Sequence, residues 1–369
     1  MNIGVLKQSR NDERRVPMVP AGAHLLTSKG HSVNIEHDAG LAAGFPDREY
    51  IDAGANIVYS RAEAVGRASL VLGVSPFQLD DVEMFLPGQT VMSFGHLATL
   101  ASGALREMAE KSITAVAYEL IENDHHRRPI VEIMGEVAGP VALTLASTFL
   151  ESNHGGRGVL LTGLPGIPPA NVVVIGGGSV GMAAVRAALG MGAQVTLFDK
   201  DPEKLREADR MFDRRVITFL SYRYSLERVL KNADVVIGAV WVHGSKPPIL
   251  ITREMIRQMK PGSVIVDCSI DQGGICETDR PTTLSNPTYV VDNVVHCCVP
   301  NMPAAVARTA SFALANTLFP YVRWYAEGGL PAVIADQPGF GEGIYLRDGQ
   351  PTHPSVARLM EAVEPLHAR

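Results

Sequence analysis

A glycine-spaced turn between two apolar segments constrains this chain more than any other feature. Residues 171–181 read Asn-Val-Val-Val-Ile-Gly-Gly-Gly-Ser-Val-Gly, so a β-branched run leads directly into the spacing G-x-G-x-x-G. In this spacing, Gly176 permits a tight turn, Gly178 lets backbone approach a pyrophosphate, and Gly181 lets a helix pack on the strand. The segment therefore predicts a strand, a phosphate loop and a helix that together form a dinucleotide pocket.

The residues after this turn support the same interpretation. Ser179 and Val180 would offer backbone N–H groups to a phosphate at the start of the helix. Residues 182–189 have a helical pattern, and residues 194–199, Gln-Val-Thr-Leu-Phe-Asp, predict a second strand. Because strand, turn, helix and strand follow in order, the glycine spacing is more than a chance match among 35 glycines.

Asp199 ends the second predicted strand, 18 residues after Gly181. A carboxylate at this position can accept hydrogen bonds from both ribose hydroxyls and repels a 2′-phosphate, which favours NAD over NADP. The alternative is a solvated acid at the end of a strand. Lys200 and Lys204 leave the cofactor preference open, because either could meet a phosphate.

Length and composition limit the classes of function. With 369 residues, the chain is too long for one ordinary core, so two domains are expected. A hydrophobic fraction of 46% and a charged fraction of 20% are typical of a globular protein in water. The net charge of -6 argues against nucleic acid or an anionic membrane as a partner. A small-molecule substrate is expected.

The N-terminal segment and the cysteines predict a cytoplasmic protein without a metal centre. The first eight residues predict a short strand followed by polar residues, without the pattern of a signal peptide. The cysteines lack metal-ligand spacing, so we expect reduced, buried thiols. They are Cys268, Cys276, Cys297 and Cys298.

Both halves of the chain alternate apolar runs with helical patterns, which predicts α/β architecture throughout. We expect two Rossmann-like doubly wound domains joined by long helices, one of them over residues 132–151. Residues 1–130 plus 326–369 would form the substrate domain, and residues 131–325, which contain the glycine turn, the NAD-binding domain. A glycine- and proline-rich loop at 154–169 could serve oligomer contacts.

Short motifs along nearly the whole chain resemble one family, the alanine dehydrogenases, whose relatives include the soluble nucleotide-binding part of proton-pumping transhydrogenase. Two motifs, Ser-Ile-Asp-Gln-Gly-Gly and Asn-Met-Pro, favour the dehydrogenase branch. The resemblance rests on residues 13–22, 93–97, 117–119, 135–139, 155–158, 265–274, 280–283 and 301–303.

The resemblance implies roles for three residues that could carry chemistry. Arg15 matches the arginine that binds the substrate carboxylate, a task suited to a planar guanidinium. His96 matches the acid/base histidine; without the resemblance it would be read as a hydrogen-bonded core histidine. Asp271 matches the active-site aspartate at a strand end over the nicotinamide, where it can take a proton or activate water.

The resemblance also implies further cofactor contacts. Lys204 and Ser221 would lie near the ribose or adenine, and Asn301 and Met302 near the nicotinamide. Gly135 replaces a serine that is common near the phosphates, which puts that contact in question.

One position departs from the family pattern. The family has a lysine, within a Lys-Val-Lys-Glu-Pro run, that contacts the substrate carboxylate or carbonyl. Counting back from His96 without a gap places Ser75 there. The change removes a charge-assisted hydrogen bond worth about 1.5–3 kcal/mol. Phe77 and Trp241 could reshape the pocket further.

These observations predict an NAD-dependent amino-acid dehydrogenase that transfers hydride at the α-carbon, with an amino acid or oxo acid other than alanine or pyruvate as its small-molecule partner. Two alternatives remain: an imine-reducing opine-type or noncanonical amino-acid dehydrogenase, and a non-catalytic NAD-binding paralogue. The family's habit implies a homo-oligomer, often a hexamer.

Overall fold

The computed structural model describes residues 1–8, 12–96, 102–242 and 246–361, apart from the side chains of residues 354 and 355. Contacts divide the chain into two compact units, Met1–Ile133 with the segment from Ala307 onward, and Met134–Val306. Each unit is built on one mainly parallel sheet that carries helices. The predicted fold class, two Rossmann-like doubly wound α/β domains, is confirmed.

Within the described residues, the strands are numbered along the chain. They are β1 (Asn2–Val5), β2 (Ser32–Glu36), β3 (Asn56–Val58), β4 (Leu70–Leu72), β5 (Thr90–Ser93), β6 (Thr114–Ala117), β7 (Asn171–Ile175), β8 (Gln194–Asp199), β9 (Val216–Leu220), β10 (Val235–Gly238), β11 (Val264–Asp267), β12 (Thr288–Val291), β13 (Val294–Cys297), β14 (Ile344–Arg347) and β15 (Gln350–Pro351).

The helices of the same residues are numbered in the same way. They are α1 (Pro20–Thr27), α2 (Asp47–Asp52), α3 (Arg61–Gly66), α4 (Leu79–Met84), α5 (Ser102–Glu110), α6 (Pro129–Phe149), α7 (Ser179–Gly190), α8 (Pro202–Met211), α9 (Arg223–Leu230), α10 (Arg253–Arg257), α11 (Ala307–Asp336) and α12 (Pro354–Glu361).

The second unit contains a seven-stranded sheet in the order β12-β13-β11-β10-β7-β8-β9. All neighbours are parallel except β12 and β13. The chain order of the parallel strands reverses between β7 and β10, and in such sheets ligands bind at the carboxyl ends of the strands beside that point. The glycine turn follows β7 and therefore lies there.

The first unit contains an eight-stranded sheet in the order β15-β14-β6-β5-β4-β1-β2-β3. The strands from β6 to β3 are parallel, whereas β14 is antiparallel to both β6 and β15. The chain order reverses here between β1 and β4. Gln8 follows the first of these strands and Ser75 the second, so both lie at the switch point of the first sheet.

Local sequence explains where the central strands and several helices form. The central strands β4, β10 and β11 are buried along their whole length, as expected of parallel strands covered on both faces. Helix α8 begins after Asp201, whose side chain accepts the N–H of Glu203 at 2.9 Å, and Pro202 fits the first helical position.

The structure differs from the predictions mainly at sheet edges and near the C-terminus. The strands β3, β12, β14 and β15 were not predicted; each has four residues or fewer, and β3, β12 and β15 lie at sheet edges. Helix α11 extends to Asp336 rather than about 325, with an irregular Gly329 (φ 69°) inside it. It contacts α1 and belongs to the first unit, whereas residues up to 325 were assigned to the NAD-binding domain. The predicted end of the last helix, 363, lies outside the described residues, as does Leu97.

Helix α6 is long and apolar enough to cross a membrane by length and composition alone, although no span was predicted. Half of its most apolar window is buried inside the protein, and core helices of soluble proteins pass the same test. At Gly139, the helix approaches α7 so closely that a Cβ would lie 2.4 Å from the carbonyl oxygen of Val180. This close packing is that of a core helix.

Candidate functional site

The glycine turn after β7 needs glycine at two positions and leaves space at a third. Gly176 has φ +105°, and a Cβ on it would lie 2.3 Å from the carbonyl oxygen of Ala239. A Cβ on Gly181 would lie 1.8 Å from the carbonyl oxygen of Gly176. Nothing lies within 4 Å of the position of a Cβ on Gly178. Gly176 and Gly181 therefore close the turn, and Gly178 faces the space that a pyrophosphate needs.

The helix that follows suits an anion. Helix α7 begins at Ser179, no side chain caps its first N–H groups, and no acidic residue lies in its first turn. The partial positive charge of these groups, including that of Val180, favours a phosphate. A Cβ at Gly135 would lie 2.3 Å from the Ser179 Oγ, so the missing side chain at 135 gives Ser179 its room.

Asp199 lies beside the glycine turn at the end of β8. Its Oδ2 accepts the N–H of Gly177 at 2.5 Å, and its Oδ1 accepts the N–H of Asp201 at 2.8 Å. Each carboxylate oxygen has a second lone pair, which a ribose hydroxyl can use. The carboxylate is therefore held at the edge of the turn where the cofactor ribose is expected.

Lys204 and Ser221 lie around the same point. The backbone N–H of Ser221 donates to the backbone oxygen of Asp199 at 2.9 Å, and the Lys204 Cβ lies 3.3 Å from where a Cβ of Gly177 would be. The Lys204 ammonium pairs with Glu207 at 3.3 Å. This pairing reduces the attraction that Lys204 would offer a 2′-phosphate.

Asp271 is exposed on a short 3-10 turn, Ile270–Gln272, that follows β11. The turn is closed by Gly273 (φ +110°) and Gly274 (φ +79°). Gln272 donates to the carbonyl of Val242 at 3.0 Å and accepts its N–H at 3.1 Å. The turn is thus fastened to the segment after β10, at the carboxyl edge of the second sheet.

Asp267 is a residue of this region that sequence reasoning missed. Its buried carboxylate accepts the N–H groups of Ser269 and Ile275, both at 2.7 Å. Burial, followed by the adjacent Asp279 carboxyl, raises the pKa of Asp267 to about 8. An acid at a strand end was the only signal in the sequence.

The residues expected near the nicotinamide lie after β13. Asn301 has φ +55°, and Met302 is only 2% exposed. The Met302 Sδ accepts the Cys268 thiol at 3.7 Å. Met302 is therefore a core residue of the second unit, whereas Asn301 lies partly at the surface.

His96 lies on a turn after β5 in the first unit. It is exposed, with φ +42°, so the core-histidine alternative does not fit. Glu119 accepts the N–H of His96 at 2.7 Å and the N–H of Gly95 at 2.9 Å. This carboxylate fixes the backbone that carries the imidazole.

Phe94 connects His96 with Arg15. The Arg15 guanidinium carbon lies 5.4 Å from the centre of the Phe94 ring, and the His96 ring centre lies 6.1 Å from it. The guanidinium is buried, and its Nε and Nη2 donate to both oxygens of Glu13 at 2.9 and 2.8 Å. The structure thus brings the predicted carboxylate-binding and acid/base residues to one aromatic ring.

Ser75 lies in a polar recess that it shares with Gln8 and Arg61. Its N–H donates to the Gln8 Oε1 at 3.0 Å. Arg61 forms a salt bridge with Asp81, donates to the carbonyl of Lys7, and lies 3.5 Å from the Glu36 carboxylate. Among the described residues that line the recess, Arg61 is thus the cation beside Ser75, and acidic groups already balance its charge.

The two aromatic residues expected to reshape the pocket differ in position. Phe77 borders the recess, but it is buried and packs edge-to-face on Phe85 with ring centres 5.2 Å apart. Trp241 follows β10 and is 51% exposed.

All four cysteines lie in the described residues, and all are free thiols. Burial raises the pKa of Cys276 well above its ordinary value, and the same holds for the other three. They fit the expected role of small buried hydrophobic residues.

A doubly wound unit with this glycine turn, an uncapped helix N-terminus and an acid at the end of the next strand defines the class of dinucleotide-binding proteins. The first unit adds a guanidinium, an imidazole and a polar recess near the carboxyl edge of its own sheet. These groups are suited to binding a carboxylate and moving a proton, which fits the class of dinucleotide-dependent oxidoreductases.

Family profiles and relatives narrow this class. The profile "Alanine dehydrogenase/PNT, N-terminal domain" matches residues 4–138, and "Alanine dehydrogenase/PNT, C-terminal domain" matches residues 142–354. The chain is 43% identical to an alanine dehydrogenase of Halomonas elongata over 99% of this chain and 98% of that protein. It is 40% identical to the alanine dehydrogenase of Bacillus subtilis over 97% of this chain and 94% of that protein.

Solved structures agree. An L-alanine dehydrogenase structure superimposes with a TM-score of 0.93 at 39% identity, covering 98% of this chain and 99% of that one. A transhydrogenase of Sinorhizobium meliloti shares the fold, with a TM-score of 0.82 at 23% identity, covering 96% of this chain and 100% of that one. The chain belongs to the alanine dehydrogenase/PNT family, and it is an NAD-dependent oxidoreductase acting on CH–NH2 donors.

Proposed function

We propose that this chain is an amino-acid dehydrogenase that uses NAD for oxidative deamination and reductive amination, and that its preferred substrate is not alanine. The family and the glycine turn support the reaction class. The recess around Ser75 carries the substrate proposal.

Three of the predicted residues have roles in the chemistry of this reaction. NAD supplies hydride transfer at C4 of its nicotinamide. Arg15 binds the substrate carboxylate, because a guanidinium forms strong charge-assisted hydrogen bonds. His96 exchanges a proton with the oxygen of the hydrated intermediate, and Asp271 takes a proton from the amine or activates water.

The substrate proposal follows from charge. A lysine at position 75 would add a positive charge near a small oxo acid, but Ser75 provides only a hydroxyl. Arg61 does not replace that charge, because Asp81 and Glu36 lie against it. Among the described residues that line the recess, Arg61 is the one cation. Without a lysine here, pyruvate would lose a charged contact. A substrate that carries its own amine or a bulkier side chain would instead meet less repulsion.

The test is a screen of amino acids with NAD, and of oxo acids with ammonia and NADH, on the purified protein. We expect poor turnover of alanine and pyruvate and better turnover of another pair. In Ser75→Lys, kcat/KM for pyruvate should rise and that for the native substrate should fall. Ser75→Ala is the control, because it removes the hydroxyl without adding charge. Alanine kinetics at ordinary family efficiency would contradict the substrate proposal.

The comparisons favour alanine itself, because the relatives at about 40% identity are named alanine dehydrogenases, and the proposal of another substrate rests on the recess around Ser75 alone. An opine-type imine reductase would be recognised in the same screen by turnover of an oxo acid with an amine other than ammonia. A non-catalytic paralogue would bind NADH and turn over nothing.

We further propose that the protein is a cytoplasmic homo-oligomer, a hexamer by family resemblance. The loop at 154–169 exposes Leu160, Leu164 and Ile167 at its tip, which supports a contact there. Light scattering should give a mass near six chains, and Leu164→Glu should lower it. A monomeric wild type would contradict this proposal.

A further inference from the structure

Asp267 lies beneath the turn that carries Asp271. It is fully buried at the end of β11. Its Oδ1 accepts the N–H of Ser269, and its Oδ2 accepts the N–H of Ile275, both at 2.7 Å. The two donors flank Asp271 in sequence, so a single carboxylate ties both ends of the segment that presents it.

The carboxyl group of Asp279 faces Asp267. One oxygen of each carboxyl group and the Cys276 sulfur all lie within 4.8 Å of one another. Asp279 also accepts the N–H of Cys276 at 2.7 Å and the thiol of Cys298 at 3.4 Å. Asp267 is buried and Asp279 is half-buried. Two adjacent carboxylates repel strongly when both are ionised, so a proton between them is favoured.

We propose that Asp267 is a positioning residue for Asp271, and that the proton it shares with Asp279 keeps the turn in place. This rests on the proposed acid/base role of Asp271. Loss of the proton sets two negative charges side by side. Gly274 packs so closely on Asp279 that a Cβ would lie 2.4 Å from its Oδ2, so the pair cannot separate without moving the turn.

The pH range of this effect follows from the pKa of Asp267, which burial and Asp279 raise from 3.8 to about 8. Because the folded-state pKa is the higher one, the stabilisation is fully present below about pH 4 and is lost as pH rises through about 8. Burial keeps the neighbouring thiols and Tyr289 neutral and lowers the pKa of His296, so none of these groups compensates. The titratable groups that face the pair are Cys268, Cys276, Tyr289, His296 and Cys298.

The matched control is Asp234. It is also a buried carboxylate of the second unit that accepts a backbone N–H, that of Asn171 at 2.9 Å. It precedes β10, at the opposite edge of the sheet, and pairs with Lys260 and Arg157 rather than with an acid. Asp234→Asn should therefore cost stability without changing the Asp271 turn.

The first test measures amide hydrogen exchange of the peptide 268–276 in the full-length protein, corrected for intrinsic rates, at about pH 7 and about pH 9. In Asp267→Asn we expect protection of this peptide at the lower pH to fall about tenfold, with no change in Asp234→Asn. The wild type should lose protection at the higher pH. Asp279→Asn should keep this protection at the higher pH, because the asparagine amide can donate a hydrogen bond to Asp267 at any pH.

The second test measures kcat, KM and NADH affinity. Asp267→Asn should lower kcat about tenfold or more and leave NADH affinity unchanged, because a displaced acid/base group loses rate rather than cofactor binding. Asp234→Asn should leave kcat unchanged.

Three results would overturn the proposal: unchanged exchange in Asp267→Asn, a pH-dependent loss in Asp279→Asn equal to that of the wild type, or one metal ion per chain held by the two acids and Cys276. If Asp267→Asn does not fold, the pH dependence of exchange in Asp279→Asn, compared with that of the wild type, decides whether the proposal stands. Full activity in Asp271→Ala would instead refute the proposed function of Asp271, while the exchange measurements would still decide whether Asp267 holds the turn.

Discussion

Two turns, one in each unit, carry the proposed proton-transfer residues, and each turn is tied to a carboxylate. Glu119 accepts the backbone N–H groups of Gly95 and His96. Asp267 accepts the backbone N–H groups of Ser269 and Ile275, one on each side of Asp271 in sequence. The backbone of the turn is thereby held in place in both cases, as an acid/base group requires.

The two carboxylates differ in origin and surroundings. Glu119 follows β6, the neighbour of the strand that leads to His96, and it is half-buried. Asp267 ends the strand that leads to Asp271, and it is fully buried against the carboxyl of Asp279. The comparison teaches that the same backbone clamp, a carboxylate that accepts the N–H groups of a turn, is built at two depths of burial. By our proposal, only the clamp of the second unit depends on a shared proton.

The largest expected effect comes from removing the groups that the clamps hold. His96→Ala and Asp271→Ala should each lower kcat about a hundredfold or more, as loss of an acid/base group does, with NADH affinity nearly unchanged. Steady-state kinetics on the native substrate and fluorescence titration with NADH measure both. A wild-type rate in either variant would remove that residue from the reaction.

The clamp of the first unit can be loosened without removing His96. Glu119→Gln keeps one oxygen for the N–H of His96 but directs an NH2 group toward Gly95, so kcat should fall about tenfold. Glu122→Gln is the control, because Glu122 pairs with Arg128 on a nearby segment. Equal kcat in the two variants would show that the Glu119 clamp does not serve catalysis.

Asp199 extends the comparison to a third carboxylate that accepts a backbone N–H, that of Gly177. Asp199→Ala removes both this bond and the ribose acceptor, so NAD affinity should fall about fivefold and the preference over NADP should narrow. Titration with both reduced cofactors measures it. Equal or tighter NADPH binding in the wild type would refute the predicted preference.

The smallest effect separates the two clamps by pH. Between about pH 7 and about pH 9, corrected exchange protection should fall about threefold in the Asp271 turn and stay constant in residues 90–96. The loss follows from ionisation of Asp267 as pH rises through about 8. A parallel loss in both turns would mean that the pH response is global rather than local.

Much of the fold was predictable because its signals are local. The buried β-branched strands, the glycine turn and the long helix α6 each depend on a few consecutive residues. The edge strands β3 and β12 were not predicted, because pairing with a neighbouring strand, rather than composition, makes these segments strands. Helix α11 was assigned to the other domain for the same reason, because only its contacts show which unit it joins.

The site divides along the same line. The sequence by itself determined the residue types of the candidate site, Gly176, Asp199 and Ser75 among them, because these are matters of spacing and identity. Only the tertiary structure decided that Arg61 borders Ser75, that Glu119 holds His96, and that Asp267 meets Asp279 beneath Asp271. Such contacts depend on how strands and turns pack together, and neither charge balance nor a shared proton can be read from spacing along a chain.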